Sequence, residues 1–279
     1  MIELREYAFD HLAAFTAPPA CKICEGDTVE YDLVDFNKAA HASRYPLGVA
    51  KIPVLYYRCR ECGLIFTNLF DEFTRDEWTA YIYNQEYYAV IDPEYADVRP
   101  KGSATWISTF LAGKKPSILG LDYGGGNGRA VEYMRESGWL FDCWDPFDHT
   151  DMANEHQEKY NFCSAMEVFE HLPDPVSSLQ SLVEKCTPNE LIIVIGTCIH
   201  DRVVTEEMRL NWWYAAPRNG HISLYSRISL KILAAKFGLT YVSISAKTHL
   251  LVRGHTKVEI QGMLLRCKVR EKARSVLKV

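Results

Sequence analysis

The stretch Ile118-Leu119-Gly120-Leu121-Asp122-Tyr123-Gly124-Gly125-Gly126-Asn127-Gly128-Arg129 constrains the fold more than any other part of this chain. Ile118, Leu119 and Leu121 have the composition of a strand buried on both faces, as strands of parallel sheets are. The strand ends in an acid and a run of glycines, and Ala130-Val131-Glu132-Tyr133-Met134 then reads as the start of a helix. Strand, glycine loop and helix together make the nucleotide-binding corner of an open α/β sheet. Without Cβ atoms such a loop turns with φ > 0 and brings its backbone close to a ligand. Gly124, Gly126 and Gly128 follow Asp122 as D-x-G-x-G-x-G, not as the G-x-G-x-x-G of a dinucleotide site. The bland alternative is a glycine-rich turn with no ligand.

Strands and helices alternate after the loop. Arg129–Glu136 reads as a helix ended by Gly138, and Leu140–Trp144 as the second strand, closed by Asp145-Pro146. An acid at this strand tip, about 20 residues past the loop, is placed to accept hydrogen bonds from ribose hydroxyls. Asp145 is the ribose ligand on this reading; the alternative is an Asx-type turn before proline. The polar stretch from Asp148 to Lys159 is short for a helix and a third strand, and Asp151-Met152-Ala153 is the candidate third-strand tip. Asn161–Ala165 reads as the fourth strand, Leu179–Cys186 as a helix, and the all-apolar Leu191–Gly196 as a fifth, fully buried strand. A helix over Ser229–Phe237 and final strands over Leu239–Ser245 and Met263–Val269 complete the domain.

The N-terminal part carries two C-x-x-C pairs, Cys21/Cys24 and Cys59/Cys62. Two such pairs in one short module are the strong form of a zinc signature. Four thiolates close a tetrahedral shell and leave no position for water, which marks a structural Zn2+ and not a catalytic one. Gly26 and Gly63 fit the tight turns. The 34-residue spacer implies an inserted loop or hairpin over His41–Pro53, and Leu64-Ile65-Phe66 reads as a strand leaving the second pair. Reduced surface thiols or a redox pair are the alternatives, and His41 is an alternative ligand. Between the module (1–70) and the main domain (103–279) lies an acidic, tyrosine-rich linker (71–102). Glu77–Tyr83 and Glu86–Ile91 read there as short helices, punctuated by Asp92-Pro93 and by Arg99 to Gly102. Its tyrosines suit a lid or, equally, packing between domains. Ser103 is the expected cap of a helix to Leu111.

The net charge of −5 gives no whole-chain attraction to polyphosphate and argues against a nucleic-acid partner. Residues 253–279 are a local exception, with eight Lys/Arg against two Glu; a solvated face is the plain explanation. The charged opening lacks a secretory pattern and no run reaches about 18 apolar residues, so no membrane span and a cytoplasmic location are expected. With nine cysteines and no such leader, paired cysteines point to metal and not to disulfides. The sequence gives no sign of oligomeric state.

D-x-G-x-G-x-G at Asp122–Gly128 resembles motif I of the class I S-adenosylmethionine (SAM) methyltransferases. Glu167-Val168-Phe169-Glu170-His171-Leu172-Pro173-Asp174-Pro175 resembles their segment after the fourth strand, in the small-molecule branch that includes ubiquinone-type O-methyltransferases. Gly220-His221-Ile222-Ser223-Leu224-Tyr225-Ser226, an amphipathic helix and Phe237-Gly238-Leu239 look like the same branch. The resemblance covers about Ile118 to Val252. It implies an α/β, Rossmann-like class I methyltransferase sheet with a small N-terminal zinc-binding module. It also implies SAM held by Asp122, Gly124, Gly126, Gly128, Asp145 and Glu167. A narrower likeness is to zinc-module-bearing sugar methyltransferases, whose histidine after the fifth strand is a candidate general base within a His-Glu-His string. His221 falls at its second histidine, but Asn219 and Gly220 replace the preceding His and Glu. The large C-terminal domain of the C-methylating branch has no counterpart here.

These departures favour O-methylation of a small acceptor, a sugar or nucleotide-linked sugar. A hydroxyl acceptor gains from a base titrating near the working pH. His221 is the first candidate and His171 the second; a capping or packing role is the alternative for His221, and fixing the loop the alternative for His171. Trp212-Trp213-Tyr214 and Arg218 can stack on a sugar and pair with a phosphate, or pack in the core. The rival functions are an RNA methyltransferase that grips substrate with the zinc module, and a non-catalytic SAM-binding or zinc scaffold.

Overall fold

A computed structural model describes residues 3–14, 17–40, 47–147 and 159–276. In chain order the helices are α1 (Leu4–Ala14), α2 (Arg75–Tyr81), α3 (Val98–Phe110), α4 (Arg129–Glu136), α5 (Pro175–Glu184), α6 (Arg227–Lys236) and α7 (Lys257–Val276). The strands are β1 (Thr28–Asp35), β2 (Pro53–Cys59), β3 (Ile65–Phe66), β4 (Leu119–Tyr123), β5 (Leu140–Trp144), β6 (Phe162–Met166), β7 (Leu191–Gly196), β8 (Ser223–Leu224), β9 (Thr240–Ser243) and β10 (Thr248–Arg253). They form two compact units.

The unit built from Glu94–Met166, Leu182–Ile195 and Leu250–Val279 contains the glycine loop. Its strands run in the order β5-β4-β6-β7-β10. β4 is parallel to both neighbours, with Asp122 opposite Cys143 on β5 and Ser164 on β6. The sequence places β4, β5, β6 and β7 to within two residues; β10 was not expected from it. β7 is buried along its whole length, as an all-apolar strand covered on both faces must be. Gly120 is needed inside β4: a Cβ there would stand 2.3 Å from the Phe141 ring. α3 lies against α4 and α7.

Two expectations fail in this unit. Met263–Val269 is not a strand but the middle of α7. Thr256 and Glu259 exchange hydrogen bonds at its start, Thr256 N–H donating to Glu259 Oε2 (2.8 Å) and Glu259 N–H to Thr256 Oγ1 (3.2 Å). That capping box begins a helix whose Ile260, Met263 and Cys267 are buried at helical spacing. α3 likewise begins at Val98, so Ser103 is interior and not a cap. Pro100 is tolerated because the first turn of a helix has no partner for its N–H. The candidate third-strand tip at 151–153 lies outside the described residues.

The other unit is built from Met1–Pro93, Glu167–Ser181 and Gly196–His249. It holds a four-stranded sheet in the order β1-β2-β3-β8, whose pairings are antiparallel. In the long spacer between the cysteine pairs, β1 and β2 pair as antiparallel neighbours; residues 41–46 of the insertion expected at 41–53 lie outside the described residues. Asp35 secures the end of β1 by accepting from the backbone N–H groups of Asn37, Ala50 and Lys51. The expected strand after the second pair is β3. It pairs with β8, Ile65 opposite Leu224 and Phe66 opposite Ser223. α1 was not legible in the sequence; it buries Leu4 and Ala8. The two short helices of the linker are α2, with a Thr74/Glu77 capping box, and a π turn at Tyr87–Ile91. Phe70, Phe73, Trp78, Tyr83 and Tyr87 meet ring to ring through this segment, edge-on except for the stacked pair Trp78–Tyr83. Among the described residues no helix is long and apolar enough to cross a membrane.

Candidate active site

The glycine loop takes the conformation that its composition requires. Gly124, Gly126 and Gly128 have φ of 75°, 54° and 73°, the left-handed region that other residues reach only with strain. Gly124 and Gly125 both donate to the Trp144 carbonyl, at 2.7 and 3.2 Å, which ties the loop to the end of β5. A Cβ on Gly126 would stand 2.0 Å from the Tyr95 hydroxyl, which itself accepts the Asn127 N–H at 3.2 Å. Tyr95 therefore lies against the loop. Sequence reading grouped it with the other tyrosines and missed this contact, which joins residues 32 apart.

Asp122 and Asp145 stand at the ends of the adjacent strands β4 and β5. Asp122 accepts the Ser164 hydroxyl at 2.6 Å. Burial pushes its carboxyl up to about 6; the Ser164 hydrogen bond opposes the rise and the charge of Asp145 adds to it. Asp145 Oδ2 accepts the Gly126 N–H at 2.9 Å, while Oδ1 accepts the Phe147 N–H at 2.8 Å. The second bond is the Asx turn anticipated as the alternative role. The first fixes the loop.

Glu170, His171 and His221 meet in the other unit, one potential ligand atom of each lying within 4.8 Å of the others. His171 Nδ1 is 3.1 Å from the Gly220 carbonyl and His221 Nδ1 is 2.8 Å from the Tyr214 carbonyl. The Tyr214 hydroxyl donates to Glu170 Oε1. Burial, and then the charge of Glu167, push the Glu170 carboxyl well above the ordinary carboxylate range. Glu167 has φ of 57°, strained for a residue with a side chain, and its N–H donates to the Gly196 carbonyl at 2.7 Å. The N-terminal sheet reaches this cluster directly. Tyr56, wholly buried on β2, donates its hydroxyl to the His221 carbonyl at 2.7 Å, and β8 begins two residues beyond His221.

Arg218 is not presented to a phosphate. Its guanidinium is buried and donates to the Ile82 carbonyl, to Asn84 and to Glu86. Trp212 is buried and Trp213 half exposed.

Cys21, Cys24, Cys59 and Cys62 gather as their spacing predicts, all four sulfurs within 4.8 Å of one another. The closest pairs are Cys24–Cys59 at 3.4 Å and Cys21–Cys62 at 3.5 Å. The turn after the first pair uses Glu25 at φ 62°, not Gly26, as its left-handed residue; Gly63 at φ 72° serves the second. Gly26 lies beside the exposed Glu61 carboxyl. His41 lies outside the described residues.

A model of a methyltransferase domain matches residues 95–244, more than half of the chain. No curated protein matches the sequence. Among solved structures, the plantazolicin methyltransferase BpumL in complex with pentazolic desmethylPZN analog and SAH is similar at 14% identity and a TM-score of 0.44, over 65% of this chain and 96% of that one. The magnesium protoporphyrin IX methyltransferase ChlM from Synechocystis PCC 6803 with bound SAM is similar at 13% identity and 0.39, over 66% and 93%. An O-methyltransferase family protein from Burkholderia thailandensis is similar at 13% identity and 0.41, over 64% and 64%.

Proposed function

The chain belongs to the methyltransferase-domain family, and from that premise we propose that it moves the methyl group of SAM onto a hydroxyl of a small molecule. A sugar or nucleotide-linked sugar is the acceptor class. One observation carries the cofactor assignment: a loop of left-handed glycines, pinned at Gly126 to Asp145, lies between two acid-tipped parallel strands. Loop N–H groups and close backbone approach suit the amino-acid end of SAM. Asp145 suits the ribose hydroxyls, and Asp122 orders the strand end beneath the loop. Gly124, Gly126 and Gly128 hold the backbone; Glu167 is the further candidate for the cofactor. SAM supplies a methyl group already activated on a sulfonium.

Methyl transfer then needs little beyond alignment and a place for the acceptor's proton. His221 is the first candidate for that proton and His171 the second. The anchoring of His221 Nδ1 on the Tyr214 carbonyl supports the choice, because it fixes the ring and leaves the basic lone pair on Nε2.

The four cysteines are assigned a structural Zn2+. A tetrahedral zinc with bonds of about 2.3 Å separates its sulfurs by roughly 3.8 Å. The closest sulfur pairs here, 3.4 and 3.5 Å, are near that spacing without being bonded. Four thiolates leave no open position, so the ion contributes folding energy and no chemistry.

Calorimetric titration of the zinc-loaded protein with SAM and with S-adenosylhomocysteine tests the cofactor reading. Micromolar binding is expected. Asp145→Ala should weaken it about 10- to 100-fold, the worth of a hydrogen bond to a charged group. Gly126→Ala should weaken it at least as much, through its φ and its clash with Tyr95. No binding of either ligand to the wild-type protein would remove the proposal.

A further inference from the structure

We propose that Glu170, His171 and His221 bind one divalent transition-metal cation. The histidines are set as metal ligands are. A carbonyl oxygen only accepts, so each ring donates from Nδ1, His171 to Gly220 and His221 to Tyr214, and carries its lone pair on Nε2. Backbone anchoring of the far nitrogen is the usual support for a metal-bound imidazole. The rings are 5.1 Å apart between centroids and inclined at 76°, which lets two lone pairs converge on one point. Gly220, at φ 82°, makes the anchoring possible: a Cβ there would stand 2.9 Å from His171 Nδ1.

Glu170 supplies the second, independent observation. Its side chain is wholly buried, and Oε1 takes the Tyr214 hydroxyl. Oε2 has no hydrogen-bond partner among the described residues. A buried carboxylate oxygen without a partner is costly, and a cation between it and two imidazole nitrogens removes that cost. Tyr214 orients two of the three ligands at once, through its hydroxyl on Glu170 and its carbonyl under His221.

Two imidazoles and one carboxylate suit Mn2+, Fe2+, Co2+ or Zn2+ better than Mg2+ or Ca2+, which prefer all-oxygen shells. Three protein ligands also leave positions open, in contrast to the four cysteines. An oxygen of the acceptor fits such a position, where the cation lowers its pKa. That last step rests on the methyl-transfer reading; the cation site itself does not. With the ion bound, the histidines serve as ligands and the acceptor is acidified by the ion.

Mn2+ is the probe, since it leaves zinc thiolates in place. The full chain, with zinc on its cysteines, is titrated with Mn2+ and the free ion is counted by electron paramagnetic resonance. One bound Mn2+ per chain is expected. Its affinity should fall at least about tenfold in His171→Ala and in Glu170→Gln, with zinc content unchanged. A second measurement does not depend on the variants folding: wild-type protein given Co2+ should show a ligand-field band without thiolate charge transfer. Absence of both signals in protein that binds SAM overturns the proposal, as does equal Mn2+ affinity in folded variants. Failure to bind SAM, with Mn2+ bound as expected, would remove the methyl-transfer reading and leave the cation site standing.

Discussion

Asp122 holds its proton more tightly in the fold than in the free chain, at about 6 against 3.8, because it is buried. A carboxyl shifted upward favours the folded state only while it is protonated. Its contribution is complete below about pH 3.8 and is lost as pH rises through about 6. Asp122→Asn keeps an acceptor for Ser164 and carries no charge. It should therefore stabilise the ligand-free protein at about pH 7.5, by up to about 3 kcal/mol, and change little near pH 4. Urea melts at the two pH values check this; a loss of stability at pH 7.5 would refute it. Both strand-tip acids were visible in the sequence because each follows an apolar run and precedes a turn former. For Asp145 the Asx turn considered from sequence is present, Oδ1 accepting the Phe147 N–H, while Oδ2 holds Gly126 in a contact the sequence did not suggest. The partnership of Glu170 with Tyr214 was not visible. It joins residues 44 apart, and no local pattern marks it.

Local signals located most of the secondary elements. Buried strands announced themselves as apolar runs and α4 as a pattern between glycines. The errors came where one local signal concealed another. Met263 to Val269 alternates enough to suggest a strand, yet the Thr256/Glu259 box upstream had already begun a helix. Arg99 to Gly102 looked like punctuation, but Pro100 lies in a first turn that accepts it. The junction between α6 and the cysteine module makes a test at this scale. Ser226 caps α6, its hydroxyl accepting the Ser229 N–H at 2.9 Å and donating to the Cys62 carbonyl at 2.5 Å. Ser226→Ala should cost about 1–2 kcal/mol in a urea melt. Ser226→Gly, which also removes the hydroxyl, should show how much of that belongs to the Cys62 contact, because glycine alone costs a cap only a few tenths.

On the scale of the whole chain, segments far apart in sequence make common units. One unit takes residues from Met1–Pro93 and from Gly196–His249, and its sheet closes only when β8 joins β3. Sequence reading found the cysteine pairs and His221 separately. It had no means of seeing that Tyr56 holds the His221 carbonyl, because a strand of two residues and a contact across 165 positions leave no periodic trace. The expected consequence is that a membrane-permeable zinc chelator lowers the melting temperature by well over 5 °C, since structural zinc supplies folding energy outright. Scanning calorimetry with and without chelator, repeated after zinc is restored, measures this; an unchanged transition would show that the four sulfurs need no metal.

On the proposed reading, in which His221 takes the acceptor's proton, the short pairing of β3 with β8 links that histidine to the redox state of the four cysteines. Cys59 and Cys62 lie just before β3, and His221 just before β8. Oxidation of the four thiolates, with loss of the assigned zinc, is then expected to lower methyl transfer, and reduction with zinc restored to recover it.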